Sequence, residues 1–351
     1  MIFSCIVGNP PYNKGNIQLY PLFYLWAKKH CNVMSMIFPQ AWQEAKVMNG
    51  IGLMNTKEVK YDKQIVYIDN IFDGFKGVVG AKNTNIVYWK KGYDNGLNGK
   101  QLIYTDGKNP IEKKLNISKE DIERIPEVIK LKECIGDFVG VDTITTGRGP
   151  YALGSDLFTY PEKYKLTETP RDKKEKDDDI RIFGIINRRY PVVKYVSSEC
   201  NFPNPRKGNQ AGFWKILLQK HWGGFDDDKY LGGSYAPIKI VGPTDLCTES
   251  YLESGRCKDF EEAKKHSKYC MSKFARTLLL DNKFDFHNNK SSWKSVPIQD
   301  YSEDFWNSDN IDDIDNGLFD KYNVPEDIRK FIMNNIQTKT KDDIIGYDGK
   351  D

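Results

Sequence analysis

The chain has 351 residues, enough for one large or two ordinary domains, each with its own core. With 39% hydrophobic and 29% charged residues it has the balance of a soluble globular protein. No apolar run approaches the roughly 20 residues of a membrane span, and the opening MIFSCIVGNPPY lacks a signal-peptide layout, which predicts a protein with no membrane partner. Seven cysteines without a CxxC pair and four scattered histidines predict neither a disulfide framework nor a metal site; a reducing cytoplasm is the expected compartment. The net charge of +3 conceals an asymmetry. Residues 300–327 carry ten carboxylates against Lys321 alone, so that stretch is −9 and the remainder +12. A basic body suits a phosphate-rich partner.

In chain order, Ile2–Val7 reads as a buried strand ending at Gly8, and Leu19–Cys31 as a helix with a broad apolar face. Val33–Phe38, Gln64–Ile68 and Asn85–Trp89 read as further strands. Strands separated by helices predict an α/β sheet over 1–92. Residues 93–117 are turn-rich and are expected to be a linker. From 118 to 351 the pattern becomes irregular, with short strands at Ile180–Ile186, Val192–Val196 and Ile238–Val241 between Gly/Pro/Asn loops. The charged run 171–181 reads as an exposed loop or hairpin tip. A long helix is expected from an Asp259 cap, with Glu262 completing a capping box and Phe260, Ala263, Tyr269, Cys270, Phe274 and Leu278 on its buried side. A last helix is expected from Pro325 through Ile336.

Asn9-Pro10-Pro11-Tyr12 follows the first strand. This places it at the strand's C-terminal end, where open α/β sheets keep their ligand chemistry. The pattern suits methyl transfer to an exocyclic amine. The lone pair of adenine N6 is delocalised into the ring, and two acceptors facing its N–H bonds can draw it toward tetrahedral geometry. The Asn9 side-chain oxygen and the Pro10 carbonyl are candidates for those acceptors. Pro10 biases Asn9 toward extended backbone, and the two prolines fix φ in the turn. Tyr12 can stack on a base that has left the duplex. The bland alternative is a stiff strand-ending turn without chemistry.

The stretch IVGNPPY, residues 6–12, resembles the signature of gamma-type adenine-N6 DNA methyltransferases. The segments that follow are similar to the restriction-modification branch of that family. They are the helix Leu19–Cys31, the strand MSMIFPQAW with Pro39 and Trp42, the strand Ile65–Asp69, and FDGFKGVVGAKNTNIVYWKKG at 72–92. In the C-terminal part, TESYL at 248–252, residues 262–283, WKSVPIQD at 293–300 and FDKYNVPEDIRKFI at 319–332 resemble its target-recognition region. The resemblance implies a partial Rossmann-like methyltransferase sheet followed by an α+β target-recognition domain. It implies S-adenosylmethionine as methyl donor, duplex DNA as partner, base flipping, and Phe75 as a second wall of the base pocket. It also implies a departure. The family's glycine-rich cofactor turn should precede the signature, yet only eight residues precede Asn9, and the glycine-bearing stretches GDFVGVD and TTGRGPY at 136–151 lack a feeding strand. A second polypeptide supplying that segment is therefore expected. The alternative is a DNA-binding specificity subunit or gene remnant without catalysis. DNA-contact candidates are Thr145, Thr146 and Arg148; Arg188 and Arg189; and Arg206 and Lys207, each set carried by a loop.

Overall fold

The computed structural model describes residues 2–15, 17–39, 62–71, 84–94, 100–105, 109–114, 125–187, 189–220, 236–282 and 288–349. The expected positions Phe75, Trp42 and Arg188 lie outside these residues. The chain divides into two compact units, Met1–Ile129 and Lys130–Asp351.

The first unit is built on a six-stranded mixed sheet. Strand β1 (Phe3–Gly8) is followed by the two-residue ribbon β2 (Asn13–Lys14) and β3 (Ile17–Gln18), helix α1 (Tyr20–His30) and β4 (Cys31–Pro39). Then come β5 (Ile65–Ile71), β6 (Thr84–Lys90), β7 (Lys100–Thr105) and β8 (Asn109–Lys114). The sheet order is β1-β4-β6-β5-β7-β8. Strands β1 and β4 are parallel and joined through α1, the βαβ unit expected of an α/β sheet. Strand β6 runs antiparallel to both β4 and β5, so β5 is parallel to β4. Two strands, β7 and β8, fall within the segment expected to be a linker; β7 pairs with β5 and β8 returns along it.

Helix α1 forms where the sequence predicts it but buries a narrower stripe. Tyr20, Tyr24 and Ala27, spaced i, i+4, i+7, enter the core with Met34, Met36, Phe38, Ile68 and Val87 of the sheet. Leu22, Phe23 and Trp26 remain 38–48% exposed. A buried carboxylate ties helix to sheet: Asp62 accepts from Tyr24 Oη at 2.6 Å, Lys28 Nζ at 2.5 Å and Trp89 Nε1 at 3.1 Å. Each of those donors would otherwise be a polar group in a largely apolar layer, so one carboxylate satisfies three.

The second unit opens with helix α2 (Pro126–Ile135), whose first residues belong to the unit before. Two small sheets follow. Strands β9 (Ile180–Ile186) and β10 (Tyr190–Val196) form a hairpin that is joined by β13 (Leu246–Cys247). Strands β11 (Trp214–Gln219), β12 (Ile238–Val241), β14 (Tyr251–Cys257) and β15 (Ile344–Ile345) form the other sheet, in the order β14-β11-β12-β15. Leu217, Val241 and Tyr251 from one sheet share a core with Ile182, Phe183, Val196 and Leu246 from the other, closed by Tyr151, Leu153 and Leu157 of the preceding loop. Helix α3 (Phe260–Met271) lies against β11, β12 and β14. It is followed by α4 (Lys273–Asn282), α5 (Ile311–Lys321) and α6 (Glu326–Asn335). The charged run 171–181 folds on itself: Arg171 reaches Asp179 at 2.7 Å and Glu168 at 3.2 Å.

Two differences from the sequence reading have a common cause. The single helix expected from Asp259 through Leu278 is broken at Ser272, and the acidic stretch contains a helix, α5, with no counterpart among the expected elements. Asp315, fully buried on α5, accepts from the backbone N–H of Lys273 at 3.0 Å and Phe274 at 2.8 Å; Ser272 Oγ accepts from Ala275 N at 3.1 Å. These acceptors satisfy donors left open at a helix start, so a new helix begins where a continuous one was expected. The cap at Asp259 is as expected, accepting from Glu262 N at 2.8 Å, while Glu262 returns to Lys258 N rather than to the cap residue's own N–H. No helix of the described residues is long and apolar enough to cross a membrane.

Candidate functional site

The Asn9–Tyr12 turn leaves the C-terminal end of β1 directly after the last paired residue, Gly8, which lies opposite Met36. Its residues alternate in environment. Asn9 and Pro11 are exposed, Pro10 is buried, and Tyr12 is half-buried. Pro10 therefore anchors the turn while the Asn9 side chain faces outward. Tyr12 packs edge-on against Tyr20, with ring centroids 6.5 Å apart at 83°. Its carbonyl accepts from Leu19 N at 2.8 Å, closing the ribbon loop between turn and helix. Burial raises the Tyr12 phenol above its ordinary pKa, so the ring stays neutral. Strand β5 brings Asp69 to the same end of the sheet. It pairs with Ile86, which pairs with Ile37, one residue beyond the Met36–Gly8 pair. Burial pushes the Asp69 carboxyl up to about 6. The sequence marked Asp69 only as a strand end.

Among the described residues the sheet has an open edge beside this turn. Strand β1 pairs with β4 alone among the described residues. Ile2, Phe3 and Val7 are 64%, 40% and 75% exposed. Phe3 touches Trp26 of α1 (centroids 6.4 Å apart), so the strand edge and the exposed stripe of α1 form one apolar surface.

In the second unit, the loop carrying Thr145, Thr146 and Arg148 meets the loop carrying Arg206 and Lys207. The sequence could not show this meeting, because 58 residues separate the two arginines. Thr145 and Thr146 are buried, 3% and 4% exposed. Thr145 Oγ1 donates to the Val141 carbonyl at 2.9 Å, and Thr146 Oγ1 accepts from Glu253 N at 2.9 Å. Their hydroxyls anchor the loop to β14. Arg148, by contrast, projects with its side chain 62% exposed; its Nε donates to Glu249 Oε2 at 2.5 Å. Arg206 Nη1 donates to the Arg148 carbonyl at 2.9 Å, and its own N–H to the Pro150 carbonyl at 2.8 Å. Lys207 is exposed. Lys220 is close enough to Arg148 for like charge to add to the burial that lowers its pKa. Arg189 is exposed at the tip of the β9–β10 hairpin.

Beneath these loops lies a buried carboxylate, Glu253, that no sequence motif marks. Glu253 accepts from Tyr151 Oη at 2.6 Å and Gln210 N at 3.0 Å, one from each loop, with Lys215 Nζ 3.9 Å away. Burial raises the Glu253 pKa and lowers that of Lys215. Gln210 Nε2 also donates to the Ile144 carbonyl at 2.6 Å. Both basic loops thus rest on one floor.

No family model matches the chain, and no curated protein does. Among solved structures, the chain is similar to the type IIL restriction-modification enzyme MmeI in complex with DNA, at 10% identity and a TM-score of 0.43, over 94% of this chain and 53% of that one. It is also similar to the type IIG restriction endonuclease BpuSI, at 11% identity and a TM-score of 0.34, over 87% of this chain and 44% of that one. The chain spans about half the length of these two enzymes.

Proposed function

We propose that the chain is the base-handling and target-reading part of an adenine-N6 DNA methyltransferase of a restriction-modification system. The observation that carries this reading is the placement of Asn9–Tyr12 at the C-terminal end of a parallel strand in a βαβ unit, with Pro10 buried and Asn9 outward. In this reading the Asn9 side-chain oxygen and the Pro10 carbonyl accept the two N–H bonds of a flipped adenine. Tyr12, held by Tyr20, stacks on its ring. The prolines fix the acceptors before the base arrives, so little ordering is left for the reaction itself.

The described residues do not by themselves fit S-adenosylmethionine. The glycine-bearing stretch 136–151 follows a helix rather than a strand. A Cβ on Gly140 would lie 2.5 Å from the Lys294 carbonyl, so this glycine serves internal packing rather than a ligand. No step through the cofactor is therefore assigned to this chain's residues. In this reading a further polypeptide segment, carrying the cofactor turn, adds to the open β1 edge and covers Phe3, Val7 and Trp26. The second unit presents Arg148, Arg206, Lys207 and Arg189 to duplex DNA.

The test is methyl transfer to plasmid DNA by the chain combined with a polypeptide that carries a cofactor turn. Transfer to adenine N6 that requires both components supports the reading. A complex that binds DNA and cofactor but never methylates supports the alternative, a specificity subunit without catalysis.

A further inference from the structure

We propose that Arg148 reads a guanine in the major groove of duplex DNA and that Glu249 is the positioning residue that aims it. The inference rests on the DNA-binding reading of the second unit and goes further by separating Arg148 from the basic residues around it.

Three observations make that separation. First, Glu249 engages Arg148 only through Nε, at 2.5 Å, and neither terminal guanidinium nitrogen has a hydrogen bond among the described residues. A guanidinium held at Nε keeps Nη1 and Nη2 as a pair of parallel donors, which matches the O6/N7 acceptor pair of guanine. Second, Glu249 is itself fixed. Its N–H donates to the Leu153 carbonyl at 2.8 Å, and its second carboxylate oxygen accepts from Ser155 Oγ at 3.2 Å and Ser155 N at 3.4 Å. A carboxylate beside a phosphate contact would repel the phosphate. Beside a base-reading arginine it removes the rotamer freedom that binding would otherwise have to freeze. Third, the loop tip is shaped for close approach. Gly147 has open space around it, Gly149 has φ +62°, and the Arg148 carbonyl is held from below by Arg206. Arg206 has one terminal nitrogen committed to that carbonyl, and Lys207 offers a point charge; both suit backbone contacts, which carry no sequence information.

The experiment is selection of binding sites from a randomised duplex pool, paired with salt titration of the selected site, using the full chain and its Arg148→Ala, Arg148→Lys and Glu249→Gln variants. The wild type should enrich a motif containing a fixed G·C pair. Both Arg148 variants should lose selectivity at that one pair by about tenfold or more, with the salt slope unchanged. Glu249→Gln should weaken selectivity at the same pair several-fold while affinity for unrelated DNA stays level or rises, an effect that a merely structural role would not produce. A motif unchanged in Arg148→Ala, with a salt slope shallower by about 0.9, would make Arg148 a phosphate contact and overturn the proposal. Salt-dependent binding by the wild type without any enriched motif would overturn it too while leaving the DNA-binding reading intact. No salt-dependent binding by the wild type would remove both.

Discussion

Asn9 is the residue on which the chemical reading turns. Asn9→Ala removes one of the two proposed acceptors for the amine, and the methylating complex should lose about a hundredfold or more in turnover, by analogy with deleting one donor that stabilises a transition state. DNA affinity should change little, because phosphate contacts dominate it; normal turnover by Asn9→Ala would remove the catalytic assignment. Another residue-scale consequence concerns His266. It is fully buried between Ser254 Oγ (3.0 Å from Nε2) and Tyr301 Oη (2.6 Å from Nδ1), and burial lowers its pKa to about 4. As pH falls below about 6.5, the unfolded chain takes up a proton that the folded chain refuses, so this histidine costs stability progressively until about pH 4. His266→Asn should be most destabilising at pH 7, and its deficit against wild type should shrink by about 3 kcal/mol toward pH 4 in urea titrations. A deficit independent of pH would mean the imidazole is not held neutral. The placement of Asn9–Tyr12 at a strand end was legible because a stiff, proline-rich string follows an apolar run. Glu253 and His266 were not, because their importance comes from neighbours distant in sequence.

Elements were legible where a single periodicity governed them. Helix α1 and strands β1, β4, β5, β6, β9 and β12 stand within a few residues of their expected positions. Helix α5 was obscured because its apolar side, Ile311, Ile314, Leu318 and Phe319, is interleaved with carboxylates, one of which is the buried Asp315. Strands β7 and β8 were obscured by the polar and charged side chains, and the Pro110, that interrupt their few apolar residues. The Asp315 cap makes a direct prediction. Asp315→Ala should strand the N–H groups of Lys273 and Phe274 and cost about 2–4 kcal/mol, whereas Asp315→Asn, which keeps an acceptor oxygen, should cost less. Equal urea midpoints for Asp315→Ala and wild type would remove the cap from the account of why the helix breaks at Ser272. The exposed stripe of α1 makes another. Phe3→Glu combined with Trp26→Glu should leave the circular dichroism of the chain unchanged while abolishing its association with a cofactor-carrying segment, measured by analytical ultracentrifugation. Undiminished association would place that segment elsewhere.

For the whole molecule, the charge asymmetry read from composition resolves into local pairings. Much of the acidic stretch is committed internally: Asp309 to Tyr347, Asp320 to Arg329, Glu303 to Trp306 and Lys321, and Asp315 to a helix start. Arg189 and Lys207 remain exposed on loops. Replacing both by Ala should shallow the dependence of log K on log salt by about 0.9 for each lost phosphate contact, with the selected motif unchanged. Asp312→Asn with Asp313→Asn should leave the slope as it is; a change of similar size would put the acidic helix at the DNA. The loop bearing Arg148 has a consequence of another kind. Its flanks are stitched down by backbone and hydroxyl bonds, Thr145 to Ser254, Thr146 to Glu253 and Pro150 to Arg206, while Gly147 and the Arg148 side chain are exposed at the tip. Inheritance can therefore experiment there cheaply. The side chain at position 148 can be exchanged while Gly149 and the buried threonines keep the loop's path, so what the tip presents can vary on an unchanged body.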